Sequence, residues 1–188
     1  DLAEGVGVGK TLYLDAPSGL AGDMLVAALV DLGVPASVVT SALEALDLSG
    51  YHVHFGRRSQ SSIVGTTFSV HVDAHQPARS YAQIRALLEG SRLAPRVREL
   101  AERAFLRLAK AEARVHRSTV DAVHFHEVGA VDSIVDFVAV SACVAYLGAR
   151  LVVSPLPMGR GFTKSQHGTI PLPAPATLEC LCGFPTYD

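Results

Sequence analysis

"TLYLDAPSGLAGDMLVAALVDLG", Thr11 to Gly33, decides how the chain is to be read. "TLYLDA" is a short apolar strand, "PSGLAG" a turn of small residues, and "DMLVAALVDLG" repeats its apolar positions at helical spacing until Gly33 closes it. Met24, Ala27, Ala28 and Val30 to Leu32 fit a buried helix. A strand that feeds a helix through a tight turn is the building unit of an α/β domain, and ligands in open α/β sheets collect at such strand ends. Ser18, Gly19 and Gly22 let the backbone approach a ligand closely, the helix start presents unpaired N–H groups, and Asp15 and Asp23 flank the turn as metal or donor ligands. The plainer alternative is that the glycines allow tight packing and Asp23 caps the helix.

Upstream, "GVGVGKT" (Gly5 to Thr11) imitates a phosphate-binding loop, but Glu4 stands where that motif needs glycine. It also precedes its strand instead of following one. Residues 1–10 are therefore read as a leader or remnant, in a chain that begins at Asp1, with a single α/β domain over 11–188.

Downstream, "PASVVTSALEALDL" puts Val38, Val39, Ala42, Leu43 and Leu46 on one helical stripe. In "YHVHF" Tyr51, Val53 and Phe55 alternate with His52 and His54, and "TFSVHV" does the same with Phe68, Val70 and Val72; the two runs predict a hairpin with "GRRSQSSIVG" as a long polar loop. His52, His54 and His71 become exposed strand residues. Helical periods follow over Ser80 to Glu89 and Pro95 to Val115. In the second, Val97, Leu100, Ala101, Ala104, Phe105, Leu108 and Ala111 form the apolar face, and Arg96, Arg98, Glu102, Arg103, Arg107 and Lys110 a solvated one. His116 ends that helix, where an imidazolium suits the dipole. After a last strand, "LVVS", the run "PLPMGRGFTKSQHGTIPLPAPA" reads as an ordered loop stiffened by prolines 171, 173 and 175. The fold class expected is α/β, a small mixed sheet of about four strands with helices packed on it.

Composition narrows the function. At 188 residues with 49% hydrophobic and 18% charged residues the chain can bury one substantial core. A formal charge of −2 with scattered Lys and Arg provides no field for nucleic acid. The run Phe137 to Gly148 falls short of the roughly 20 residues a membrane span needs. Three cysteines at unrelated spacings (Cys143, Cys180, Cys182) make no disulfide framework, so a reducing, cytoplasmic setting is expected. "CLCG" reads as core.

The chemistry concentrates in "HFHEVGAVDSIVD", His124 to Asp136. His124 and His126, two apart on an extended segment, put both imidazoles on one side and Phe125 in the core. Two such histidines can hold one metal ion, and Glu127 completes a set of donors suited to nickel, manganese or zinc. Asp132 sits in the first turn of the following helix, where the dipole favours it. Asp136, one turn deeper among small apolar residues, needs a hydrogen-bond or cationic partner. His167 in the proline-rich segment and Asp15 join the candidate ligands. Taken singly, each of these residues is more often structural than a ligand.

Taken together, "YLDAPSGLAGDM", "ARSYAQI", "AEARVH", "VHFHEVGAVDSIVD" and "PLPMGRGFTKSQHGTIPLPAPATLECLCGFP" resemble the LarC family of nickel-insertion proteins, in the family's order, from Leu12 onward. The resemblance implies a cytoplasmic protein that inserts nickel into pyridinium-3,5-bisthiocarboxylic acid mononucleotide to form the nickel-pincer cofactor. It implies CTP as co-substrate with manganese or magnesium, a lyase-class reaction, and a CTP-binding C-terminal domain as partner. This chain stops at "GFPTYD", where the family continues into that domain. Where the family usually has "HRSY", Ala78 replaces the histidine, and the His-rich tract of some relatives is reduced to His71 and His75. Under this reading His124, His126, Glu127, Asp132, His167 and Asp15 hold the metal, and Ser18, Gly19, Gly22 and Asp23 meet the substrate. Two other classes compete with it: a non-catalytic scaffold that docks the CTP-binding domain, and a metal-dependent phosphoester hydrolase.

Overall fold

The computed structural model describes residues 1–73, 78–125, 130–165 and 168–188. In chain order the elements are β1 (Thr11–Leu14), α1 (Gly22–Leu32), α2 (Ala36–Glu44), β2 (Tyr51–Gln60), β3 (Ile63–Val72), α3 (Tyr81–Glu89), α4 (Pro95–His116), α5 (Val131–Leu147), β4 (Arg150–Val153), β5 (Leu156–Pro157), β6 (Gly161–Ser165), β7 (Gly168–Leu172), α6 (Pro175–Leu181) and β8 (Thr186–Tyr187). The α/β class stands. Among the described residues the strands are divided into four two-stranded pairs, not joined in one sheet: β1–β4 and β5–β8 run parallel, β2–β3 and β6–β7 antiparallel.

Helix α5 organises the core. Val131, Ile134, Val135, Val138, Ala139, Ala142, Cys143 and Leu147 are buried because α1, α2 and α4 all pack against it, so it is apolar nearly all round. Gly148, at φ 67°, ends it in the left-handed conformation. Each fully buried Ile, Val or Phe contributes about 1.5–3 kcal/mol by leaving water.

Helix α1 is less buried than its composition predicts. Val26, Ala27 and Leu29 face α5 and β3, but Ala28 is exposed and Met24 and Leu32 are each 50% exposed. One stripe suffices to pack a helix lying across a two-stranded ribbon; the other stripe borders an open hollow beside β1.

The β2–β3 hairpin alternates as the sequence requires, but its loop is far shorter. The ladder runs from Tyr51↔Val72 to Gln60↔Ile63, and only Ser61 and Ser62 turn. Both have positive φ (48° and 68°), the backbone of a type I′ turn whose twist matches the strands.

The Gly- and Pro-rich segment is likewise no loop. It forms β5, the β6–β7 hairpin and α6. Pro171 stands opposite Phe162 in a two-stranded ribbon, where a strand can lack an N–H on its outer side without losing a partner.

Arg107 is not part of a solvated face. Its Nε and Nη2 donate to the Cys180 carbonyl at 3.1 and 2.6 Å, its guanidinium lies 5.0 Å from the Phe184 ring centre, and Arg114 pairs with Glu179 at 3.1 Å. These contacts seat α6 on α4. Because α6 lies on the outside of α4, Cys180 is half-buried and Cys182 exposed, so "CLCG" is not core. The other predicted charges behave as a surface, with Arg96–Glu99 at 2.7 Å and Arg98–Glu102 at 3.8 Å. His116 pairs with Glu112 at 3.3 Å, one turn back.

Residues 2–8 lie against the fold. Leu2 N–H donates to Gly33 O, Gly5 N–H to Tyr146 O and Gly7 N–H to Leu147 O, at 2.7 to 2.9 Å. A Cβ on Gly7 would sit 2.7 Å from Leu147 O, so glycine serves close packing there. Among the described residues no helix is long and apolar enough to cross a membrane.

Candidate functional site

The turn after β1 is held from three sides. Ser154 N–H donates to Leu14 O at 2.9 Å, extending the β1–β4 pair, and Ser154 Oγ accepts from Ala16 N–H at 3.0 Å while donating to Pro155 O at 3.2 Å. Gly19, at φ 85°, lets its N–H return to Ala16 O at 3.1 Å, and the Tyr187 hydroxyl donates to Pro17 O at 3.2 Å. Asp15, Ser18 and Gly19 line a hollow of about 370 Å³ with Leu20, Met24 and Ala28 as its apolar side. Asp15 and Ser18 are exposed. Ser154, which no motif marks, is buried and ties the turn to β4.

At the far end of the turn, α1 and α5 begin side by side in similar ways. Each starts behind an alanine, Ala21 or Ala130, that offers no side-chain cap. Each has aspartate as its second residue: Asp23 Oδ1 accepts from Met24 N–H at 2.8 Å, and Asp132 Oδ1 from Ser133 N–H at 2.7 Å. Both starts favour negative charge.

Asp136 lies under α1's first turn. A Cβ on Gly22 would stand 2.5 Å from Asp136 Oδ2 and 2.6 Å from its Cβ, so only glycine lets the two helices approach this closely. Asp136 is half-buried, and its Oδ1 is buried with no hydrogen-bond partner among the described residues. Burial first, then the charges of Asp23 and Asp132, push its carboxyl up to about 6, while the Asp23 N–H pulls the other way. Such a carboxylate is poised to take a proton or a cation. The partner that the sequence requires for Asp136 is thus only half supplied by the described residues.

His124 faces outward, between buried Val123 and Phe125. The segment pairs with Ser80 across a single bridge, Tyr81 N–H donates to Val123 O at 3.0 Å, and Phe125 meets Tyr81 edge-on at 6.4 Å. His126, Glu127, His167 and His75 lie outside the described residues. Among the described residues no three His, Cys, Asp or Glu side chains are arranged to hold a metal ion. What the fold does bring together is Gly22, Asp23, Asp132 and Asp136, with Asp15, Ser18 and Gly19 at the other end of the same turn. The signal for Asp136 was in the sequence: a carboxylate one turn beyond the reach of the dipole, on a face of small residues. That Gly22, marked in the sequence for its turn, comes to lie on Asp136 could not be found that way.

Residues 12–187 match the model of a family described as nickel insertion protein. The chain is 52% identical over 181 residues to a protein of Geobacter metallireducens, 49% over 181 residues to one of Geotalea uraniireducens and 50% over 181 residues to one of Geobacter sulfurreducens. Each is named "Putative nickel insertion protein", and each alignment covers 95% of this chain but 46–47% of the relative. The chain spans about half the length of the curated relatives it matches. No solved structure matches it.

Proposed function

The chain belongs to the nickel insertion protein family, and from that premise we propose that the β1–α1 turn and the α1–α5 junction form the place where nickel passes to its organic acceptor. The acceptor is pyridinium-3,5-bisthiocarboxylic acid mononucleotide, and the product is the nickel-pincer cofactor. CTP, with manganese or magnesium, acts through the C-terminal domain of the longer relatives, in a lyase-class reaction in the cytoplasm. In this reading His124, His126, Glu127, Asp132, His167 and Asp15 supply ligands to nickel as cargo, joined by Asp136. Ser18, Gly19, Gly22 and Asp23 present backbone and polar groups to the acceptor.

The observation that carries the reading is the buried Oδ1 of Asp136, without a hydrogen-bond partner among the described residues, beside two helix starts whose alanine N-caps offer no side-chain cap. A cation there would relieve the burial and the repulsion from Asp23 and Asp132 together. Oxygen and imidazole donors also suit a carrier that must release its metal, because the thiocarboxylate sulfurs of the acceptor are softer and displace them by ligand exchange. Cys143 does not compete: burial pushes its thiol up to about 12, so it stays protonated.

Calorimetric titration with nickel at pH 7.5 tests this with the wild-type chain, Asp136→Asn and His124→Ala. Each variant should weaken one binding equivalent by about tenfold or more. Affinity and stoichiometry unchanged in both would overturn the assignment.

A further inference from the structure

The β2–β3 hairpin presents its inner face, with Val53, Phe55, Phe68 and Val70, to the core. Its outer face carries three exposed imidazoles, those of His52, His54 and His71. The register sets His52 directly opposite His71, and His54 opposite Ser69. The first two rings stack with centroids 5.0 Å apart and planes 17° from parallel. Asp73 Oδ1 lies 2.8 Å from His52 Nδ1, and Ser69 Oγ lies 3.2 Å from His71 Nε2.

This arrangement has the parts of a metal site. Two histidines at i and i+2 on one strand, with a third opposite the first, start from Cβ positions roughly 5–8 Å apart. The carboxylate on His52 Nδ1 fixes that ring's proton and leaves Nε2 as a free lone pair, the second-sphere contact that ligating histidines make. At rest only two imidazoles meet. The His54 ring leans along its strand, its Nε2 3.2 Å from where a Cβ on Gly56 would lie. Gly56 gives it that room, so a three-imidazole site requires a side-chain rotation of His54 toward the other two, a change that is fast for an exposed residue.

We propose that His52, His54 and His71 form a surface site for a divalent transition-metal ion of the nickel, copper or zinc class, with Asp73 as its positioning residue. Imidazole donors suit those ions, and water completes the coordination. The site lies on the side of the hairpin away from α1 and does not depend on the reading of the α1–α5 junction.

Zinc and nickel alone are the probes. Titration of the intact chain should show a binding equivalent that H52Q/H71Q removes, that H54Q weakens about tenfold, and that D73N weakens by about tenfold or more. The same equivalent should persist in His124→Ala and Asp136→Asn, so either site can fail without the other. Copper(II) bound to the wild type should show nitrogen splittings in its paramagnetic resonance spectrum. In the wild-type chain, zinc should also slow diethyl pyrocarbonate modification of all three histidines, read by peptide mass. Equal modification rates with and without zinc, an unchanged equivalent in H52Q/H71Q, or an oxygen-only copper spectrum would each overturn the proposal.

Discussion

The α1–α5 junction and the outer face of the β2–β3 hairpin both gather ionisable side chains, by opposite means. At the junction, helix packing draws Asp136 out of water beside two other carboxylates, and its proton affinity moves. On the hairpin the imidazoles stay in solvent, and the strand register does the positioning. Burial therefore tunes a group's chemistry, whereas register tunes only its neighbours. Changes at the junction should alter stability and pH response; changes on the hairpin should alter little except what binds there.

The largest effect should come from Phe125→Ala. The ring is 1% exposed and packs against Tyr81 and Phe105, so its loss should cost about 3–5 kcal/mol and lower the melting temperature by roughly 10 °C in calorimetry. A drop of only a degree or two would mean that the segment presenting His124 is not anchored by that ring.

Gly22→Ala comes next. The added methyl collides with Asp136, and separating the helices should cost about 1–3 kcal/mol in urea unfolding. Wild-type stability in this variant would show that the close approach is not needed.

Asp136→Asn should act in the other direction, and with pH. Because the carboxyl is raised from 3.8 to about 6, its ionised form is the one the fold disfavours. Its protonated form is at no such disadvantage, so wild-type stability is undiminished below pH about 4, falls as pH rises through about 6, and levels above that. The asparagine variant should gain roughly 1–2 kcal/mol at pH 7.5, allowing for solvent screening, and nothing at pH 3.5. A gain of the same size at both would assign it to packing.

The smallest effect belongs to the hairpin. His52→Gln removes a contact between side chains 64% and 54% exposed, and stability should change by no more than about 0.5 kcal/mol. A loss above about 1 kcal/mol would give this surface a structural role that the comparison denies it.

Much of the fold was legible because periodicity reports which face of an element meets other atoms. The stripe of α2, the two-faced α4 and the alternation of Tyr51, Val53 and Phe55 with His52 and His54 were read that way. The Ser61–Ser62 turn was not, since serine is an uncommon residue at positive φ and only the pairing on both sides holds it there. Arg107 read as solvated because a charge on an outer helical face shows nothing of a segment some seventy residues later that comes to lie on it.

The candidate site divides along the same line. Asp15, Ser18, Gly19, Asp23, His124 and Asp132 stood out by type and spacing, whereas Ser154 and the meeting of Gly22 with Asp136 did not. By itself, the sequence determined the strand, the glycine turn, the helix starts and the order of donor residues, because these depend on neighbours a few positions away. Only the tertiary structure decided that α1 comes down on Asp136 and that His52 faces His71. Those contacts join residues about 114 and 19 positions apart, and their distances follow from how helices pack and strands register, not from any local preference.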